Sequence, residues 1–323
     1  MKIPKYILPV IVLSQFLCTS LWFAGNGVMT DLVNTFQLED SALGHLTSSV
    51  QLGFIIGTLC FAILTIADRF TPSKVFLVSA LLGALFNLGL LWTSNNLLSI
   101  LLFRFLTGFF LAGIYPVGMK IAADYFDIGL GKSLGFLVGA LVLGTASPHL
   151  LKNLTQMVSW TSVIIFISIL SSFGGLLMML LVPDGPFRKA GQRVNFSGFF
   201  EVFKNTSFRG SAFGYFGHMW ELYAFWTFVP VMIQTFNSSN IHSNLNISFW
   251  SFMIIGIGGL ACVISGFLSQ SLGTKRTAFA ALLLSGLCCL LSPWVFGTES
   301  SVLFLGFLMF WGMVVIADSP LFS

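Results

Sequence analysis

Charged residues are scarce in this chain. Of its 323 residues, 8% are Asp, Glu, Lys or Arg, whereas 56% are hydrophobic, and the mean hydropathy is +0.93. Soluble domains carry about a quarter of charged residues, so this composition excludes a soluble domain. Apolar runs of about 20 residues, long enough to cross a bilayer as a helix, alternate with short polar joints. Because a membrane-spanning strand needs only about 10 alternating residues, the run length predicts an all-α membrane protein.

The chain is also poor in groups that carry out catalysis. It has four histidines and five cysteines, and the cysteines all lie inside apolar runs without metal-ligand spacing. A paired-histidine metalloprotease motif and a phosphate-binding loop are both missing from the sequence. We therefore expect neither an enzyme nor an ATP-driven pump, no cofactor and no nucleic-acid partner.

Ten apolar spans follow one another along the chain. Their predicted limits are 6–30, 42–67, 74–94, 97–120, 131–152, 158–182, 209–236, 246–272, 275–297 and 300–323. The one long polar joint, residues 183–208, is basic, contains proline and glycine, and can begin a short surface helix at 195–200. The chain therefore divides into an N-terminal half (1–182) with six spans, a cytoplasmic linker, and a C-terminal half (209–323) with four spans.

The basic residues predict the orientation. Thirteen of the fifteen lysines and arginines fall on one side of the membrane, while Arg104 lies inside span four and Lys152 lies on the other side. Cytoplasmic loops carry an excess of Lys and Arg. We therefore expect a cytoplasmic N terminus and a multi-pass protein of the plasma (inner) membrane.

Two loops at matching places in the two halves carry a related pattern. The loop after span two contains Asp68, Arg69 and Lys74, and the loop after span eight contains Gly273, Lys275 and Arg276. Both loops resemble degraded copies of the loop signature of the major facilitator superfamily, Gly-x-Leu-small-Asp-Arg-x-Gly-x-x-basic. The first copy has Leu64 and Thr71 where the pattern has glycine, and the second has Gln270 and Ser271 in place of the charged pair.

Span four adds a second resemblance to that family. Its motif residues, each four positions apart, are Arg104, Gly108, Ala112 and Pro116. Gly108 and Ala112 share one helix face and predict the close approach of a neighbouring helix, and Gly53 and Gly57 predict the same for span two.

The resemblance implies a helical bundle of two related halves and a secondary active transporter that works by alternating access. We expect coupling to protons, a small-molecule substrate, contact with lipid and a monomeric state. Two alternatives stay open: a passive facilitator or channel on the same scaffold, and an inactive fragment of a twelve-span carrier. The second half has four spans where the family has six, so a truncated chain is the simplest expectation. Neither the substrate nor the direction of transport follows from the residues.

Arg104 has two interpretations. A guanidinium inside a span is tolerated only if it faces protein or water. It can bind an anionic substrate group or bias a carboxylate during proton coupling, or it can be a fixed ion pair or carbonyl clamp that holds helices together. The resemblance implies that spans one, four, seven and ten line a central cavity. The further pathway candidates in spans one and four are Asn26 and Tyr115.

Span seven carries the most unusual polar residues. His218 and Glu221 are three apart and therefore share a helix face. We expect Glu221 to be the proton-coupling acid and His218 a relay or a hydrogen-bond donor to substrate. The alternative for Glu221 is a neutral, hydrogen-bonded carboxyl that helps the helix to pack. Trp220 and Tyr223 can stack on a substrate or simply pack. In span ten, Asp318 is either a cavity acid or an end-of-helix residue.

The six loop residues named above are expected to form a conformational latch. By resemblance, Asp68 would pair with a basic group or a helix N-terminus across the interface between the halves, and Arg69 with an acid. The alternative is a solvated turn that merely follows the distribution of positive charge.

Overall fold

The structure, a computed structural model, describes residues 4–39, 41–126, 130–154, 159–188, 201–240 and 243–322. Apart from a short 3-10 helix at Gly89–Leu91, the regular elements within these ranges are α-helices. They are α1 (Ile7–Thr19), α2 (Ala24–Gly27), α3 (Met29–Phe36), α4 (Ala42–Ile63), α5 (Ile66–Arg69), α6 (Pro72–Leu88), α7 (Leu97–Leu111), α8 (Tyr115–Tyr125), α9 (Leu130–Leu154), α10 (Trp160–Leu181), α11 (Thr206–Ser239), α12 (Ile247–Leu272), α13 (Thr274–Phe296), α14 (Ser301–Val314) and α15 (Ser319–Phe322).

Several of these helices begin where the sequence provides a cap. Asn96 and Ser99 form a reciprocal capping box at the start of α7, in which the side chain of each accepts a hydrogen bond from the backbone N–H of the other. The side chains of Asn246 and Ser300 accept hydrogen bonds from backbone N–H groups at the starts of α12 and α14. Pro72 occupies the first turn of α6, where its missing N–H costs nothing. Local sequence therefore sets where these spans begin.

Eight stretches of the described residues are long and apolar enough to cross a membrane. They are Ala42–Ile63, Pro72–Leu91, Leu97–Tyr125, Ser133–Leu154, Trp160–Leu181, Ile247–Leu272, Thr274–Phe296 and Ser301–Leu321. Predicted span one falls outside this set because it is divided among α1, α2 and α3. The long helix α11, which contains predicted span seven, is also not among the eight. The all-α membrane class is confirmed, and the division into six and four spans stays a prediction.

The chain forms two compact units, Met1–Gly191 and Gln192–Ser323. The division between them falls inside the predicted linker 183–208. The amphipathic segment expected at 195–200 lies outside the described residues.

In the first unit, α4 and α7 pack so closely that glycine is required on both sides. A Cβ added at Gly108 would lie 2.0 Å from the Val50 carbonyl oxygen, and one at Gly53 would lie 2.0 Å from that of Phe105. Such contacts are far shorter than any real Cβ contact, so a side chain would force the backbones apart. The small-residue faces predicted for spans two and four are therefore confirmed.

The second unit repeats this contact between α12 and α14. A Cβ at Gly312 would lie 2.3 Å from the Ile254 carbonyl oxygen. Gly312 and Ile254 each come 204 positions after Gly108 and Val50. The same helix-to-helix contact thus occurs at the same spacing in both units.

Candidate functional site

The first polar site is a break in the helix of span one. α1 ends at Thr19, α2 begins at Ala24, and the residues between them form turns. Carbonyl groups at the end of a helix lack helical partners. Arg104 of α7, with 0% exposure, supplies donors to two of them: Nη1 donates to the Leu21 carbonyl at 3.2 Å, and Nη2 donates to that of Trp22.

The same guanidinium begins a chain of contacts through the unit. Its Nη1 lies 3.5 Å from Asn87 Oδ1, and Asn87 Nδ2 donates to Ser168 Oγ at 3.0 Å. Arg104 therefore links α7 to the break in span one, to α6 and, through Asn87, to α10. This arrangement corresponds to the carbonyl clamp, one of the two interpretations that the sequence allowed for Arg104. A substrate role for Arg104 stays a prediction, and its geometry lends that role no support.

Asn26 and Tyr115 also lie near the break. Asn26 is buried in α2, and its Nδ2 donates to Thr47 Oγ1 of α4 at 2.8 Å. Tyr115 begins α8 and stands edge-on to Trp22, with 6.5 Å between the ring centroids. Three of the predicted pathway residues, Arg104, Asn26 and Tyr115, thus gather around one interrupted helix.

The second polar site lies in the second unit, where span ten is interrupted between α14 and α15. His218 of α11 and Asp318 of the interruption are 2% and 1% exposed. His218 Nδ1 lies 3.0 Å from Asp318 Oδ1, and its Nε2 lies 2.6 Å from Ser319 Oγ. Ser319 was not recognised from the sequence, because its role depends on the break placing it opposite α11.

Glu221 has different partners, although it shares a helix face with His218. Its Oε1 accepts hydrogen bonds from Ser285 Oγ at 2.5 Å and from Cys289 Sγ at 3.4 Å, both on α13. Glu221 is partly exposed, unlike His218. The spacing rule placed the two residues on one face correctly, but the neighbouring helices separate their contacts.

The aromatic candidates of span seven differ in exposure. Trp220 is 79% exposed. Tyr223 is half-buried and stands edge-on to Trp226, with 5.8 Å between ring centroids. Tyr223 thus has an aromatic neighbour on its own helix, and stacking on a substrate stays a prediction for both residues.

The predicted latch residues of the first loop find their partners inside the first unit. Lys120 Nζ lies 2.9 Å from Asp68 Oδ1 and 3.8 Å from Asp124 Oδ1. Arg69 Nε donates to the Thr65 hydroxyl at 3.1 Å rather than to an acid. Asp68 thus has a basic partner in its own unit, Lys120 of α8, and a latch across the two halves stays a prediction. Lys74 is exposed.

The second loop has a different geometry. Gly273, with φ at 87°, forms the joint between α12 and α13. Glycine adopts this backbone region without steric cost. Lys275 and Arg276 follow in the first turn of α13 and are exposed. A latch formed by this copy stays a prediction.

The start of the linker packs against the first unit, beside the first loop. Tyr125 donates its hydroxyl to the Pro183 carbonyl at 2.6 Å, and the Phe187 N–H donates to the Asp124 carbonyl at 3.0 Å. Arg188 pairs with Asp184 and donates to the Phe70 carbonyl at 3.0 Å. Turn-forming proline and glycine in this stretch were the available sequence signal.

An ion pair at α3 accounts for the exception to the charge pattern. Lys152 Nζ of α9 lies 2.7 Å from Asp31 Oδ2 of α3. Nearby, a Cβ at Gly27 would lie 2.7 Å from the Pro148 side chain. The lysine expected on the far side of the membrane thus has an acidic partner there.

In the part of the chain that the structure describes, His, Cys, Asp and Glu form no cluster able to hold a metal ion. The letters Gly-x-Ser-x-Gly do occur at 131–135, but that stretch lies within the helix α9. A nucleophile elbow requires a sharp strand-to-helix turn, so the helical setting does not fit one.

Comparison with known proteins agrees with this architecture. The family model described as Major Facilitator Superfamily matches residues 11–322. The chain belongs to the major facilitator superfamily. It is a multi-pass membrane protein of a transporter family, as the two loop copies and the span-four motif indicated.

One curated relative is the niacin transporter NiaP of Acinetobacter baylyi, which is 29% identical over 160 residues. That match covers 42% of this chain and 36% of the relative, so the chain spans little more than a third of the relative's length.

Solved structures share the fold at low identity. The nucleoside transporter NupG has a TM-score of 0.72 at 15% identity, with 97% of this chain and 80% of that chain covered. The human organic anion transporter MFSD10 has a TM-score of 0.72 at 14% identity, with 99% and 85% covered. The proton:xylose symporter XylE has a TM-score of 0.69 at 15% identity, with 98% and 80% covered.

Proposed function

We propose that this chain is a secondary active transporter that moves a small solute by alternating access and is coupled to protons. The observation that carries the proposal is the repeat of one tight helix contact in both units, Gly108 on Val50 and Gly312 on Ile254. Transporters built from two related halves work by rocking one half against the other around a fixed site. Membership of a transporter family supports the same conclusion.

Buried ionisable groups in the second unit support proton coupling. An ionisable residue inside a membrane span is costly and marks an ion or proton pathway by default. Glu221, the acid expected from the sequence, is partly exposed and has hydroxyl and thiol donors. Asp318 is fully buried against an imidazole. Both are candidates for the coupling acid.

The substrate class is a small solute, and niacin is the first to test because the curated relative is a niacin transporter. The case for an anion based on Arg104 is weak, since that guanidinium is fully buried against backbone carbonyls. Nucleosides and xylose follow from the names of the structural neighbours. We further propose that the N terminus is cytoplasmic and that the protein acts as a monomer in the plasma membrane.

Uptake into proteoliposomes tests the function. Purified protein would be reconstituted and given radiolabelled niacin, a nucleoside or xylose, with and without an inward proton gradient. We expect one solute to accumulate above its outside concentration only with the gradient, and a protonophore to abolish the accumulation. Equilibration without accumulation would instead establish a passive facilitator, and no uptake of any solute in a broad metabolite panel would contradict transport by this chain.

A further inference from the structure

The interruption of span ten is attached to α11 through one compact polar cluster. Asp318 lies in the turn that follows α14, and Ser319 begins α15. The two side chains contact opposite nitrogens of the same imidazole, Asp318 Oδ1 at Nδ1 and Ser319 Oγ at Nε2. All three residues are buried. Whatever changes the charge of this imidazole therefore acts directly on the turn.

The surroundings of the cluster hold few charges. On α11, the Tyr215 ring lies 6.4 Å from the His218 ring, and Glu221 lies three residues beyond His218. On α12, Cys262 donates its thiol to the Ile316 carbonyl of the same turn at 3.5 Å. The basic side chains described in this unit, apart from His218, are Lys204, Arg209, Lys275 and Arg276, and all four are exposed. His218 is thus the basic group that faces Asp318.

One proton decides whether this buried cluster is neutral. When the pair holds a proton, imidazolium and carboxylate compensate each other, and both ring nitrogens are donors, to Asp318 and to Ser319. When the proton leaves, a neutral imidazole faces a carboxylate that no described cation compensates. A buried charge without a partner is strongly unfavourable, and the acidic Glu221 nearby adds repulsion. Opening of the turn to water then relieves the cost.

We propose that His218, Asp318 and Ser319 form a proton-operated clasp, which binds one proton while the turn of span ten is docked on α11 and opens when that proton is released. This inference rests on the proposed transport function and names the proton site within it. It assigns the proton to the His218–Asp318 pair rather than to Glu221, whose hydroxyl and thiol donors on α13 can serve it in the charged state.

Cysteine labelling of the detergent-purified full chain tests the clasp without any transport assay. All five native cysteines, including the buried Cys262 beside the turn, would be replaced by Ser or Ala, and a single reporter introduced as Leu321→Cys in α15. A second reporter, Val302→Cys at an 83% exposed position of α14, corrects for ionisation of the thiol itself. Maleimide labelling rates would be compared between about pH 5 and pH 9, the range in which an imidazole titrates.

We expect the normalised rate at Leu321→Cys to rise at least about tenfold across this range, since one linked proton can change an opening equilibrium by up to about tenfold per pH unit. Asp318→Asn should reverse the trend, because a protonated imidazole then lacks its counter-charge at low pH and the neutral cluster stays closed at high pH. Glu221→Gln is the matched control: because it removes the added repulsion, it can move the pH at which the rate rises, but the rise itself should remain.

Three results overturn the clasp: a normalised rate that does not change with pH, a rise that persists in Asp318→Asn, or a rise that disappears in Glu221→Gln. Transport assays separate this outcome from the function itself. In Asp318→Asn we expect solute counterflow to persist and proton-driven accumulation to be lost. If uptake is driven by protons but labelling does not depend on pH, the clasp is contradicted and the transport function stands. If labelling depends on pH but no solute is transported, the transport function is contradicted and the clasp stands.

Discussion

Both units interrupt a long helix, but they hold the interruption with different chemistry. In the first unit, the turn of span one is held by the guanidinium of Arg104, which remains charged at any physiological pH. In the second unit, the turn of span ten is held by the imidazole of His218, and an imidazole, unlike a guanidinium, exists in both a neutral and a charged form. The position 204 residues after Arg104 is Leu308, so the arginine clamp is not repeated. A permanent joint and a switchable one thus occupy related halves.

The largest expected effect comes from breaking the permanent joint. Arg104→Ala removes a fully buried side chain together with the hydrogen bonds that its guanidinium donates to the Leu21 and Trp22 carbonyls, so we expect the free energy of unfolding to fall by about 3–5 kcal/mol. Arg104→Lys keeps a positive charge, but an ammonium group can replace only part of the hydrogen bonds that the forked guanidinium makes. We therefore expect it to lose less stability than Arg104→Ala. Thermal unfolding in detergent measures both, and the losses should be equal at about pH 5.5 and pH 8. If Arg104→Ala unfolds with nearly unchanged stability, Arg104 does not hold the turn of span one.

The repeated glycine contact is the next test, because it measures how similar the units are. A methyl group at Gly108 or Gly312 would overlap a backbone carbonyl, so Gly108→Ala and Gly312→Ala should each destabilise by about 1–3 kcal/mol. Gly286 of α13 faces open space, and Gly286→Ala should be neutral or stabilise by up to about 1 kcal/mol. The same thermal assay compares the three variants. If Gly312→Ala behaves like Gly286→Ala, the two contacts are not equivalent.

The smallest expected effects concern the ion pairs of the first unit. Asp68 with Lys120 and Asp31 with Lys152 are partly exposed pairs, so solvent screens them and each contributes at most about 1 kcal/mol. Asp68→Asn and Asp31→Asn should therefore lower the stability only slightly, and less so at high salt. A change in transport rate much larger than the change in stability for Asp68→Asn would support a latch role for the first loop. Equal small changes in both properties would identify an ordinary surface pair.

Much of the fold could be predicted from the amino-acid sequence. Run length and charge scarcity predicted membrane helices. The spacing of Gly53 with Gly57, and of Gly108 with Ala112, predicted faces for close helix packing without identifying the partner helix. Both follow from local rules: a helix repeats every 3.6 residues, and a bilayer has a set thickness. The spacing of His218 and Glu221 likewise predicted a shared face, which is all that spacing can predict.

The partners across helices were decided by the tertiary structure. Arg104 had two interpretations until the break in span one placed backbone carbonyls around its guanidinium. Glu221 and His218 separated because α13 and the turn after α14 approach them from different directions. Asp68 contacts Lys120, about 50 residues away, because folding of the first unit brings this lysine of α8 beside that loop. Residue type and periodicity determine which groups can be buried and on which face, whereas the compensation of each buried charge depends on chain segments that meet only in three dimensions.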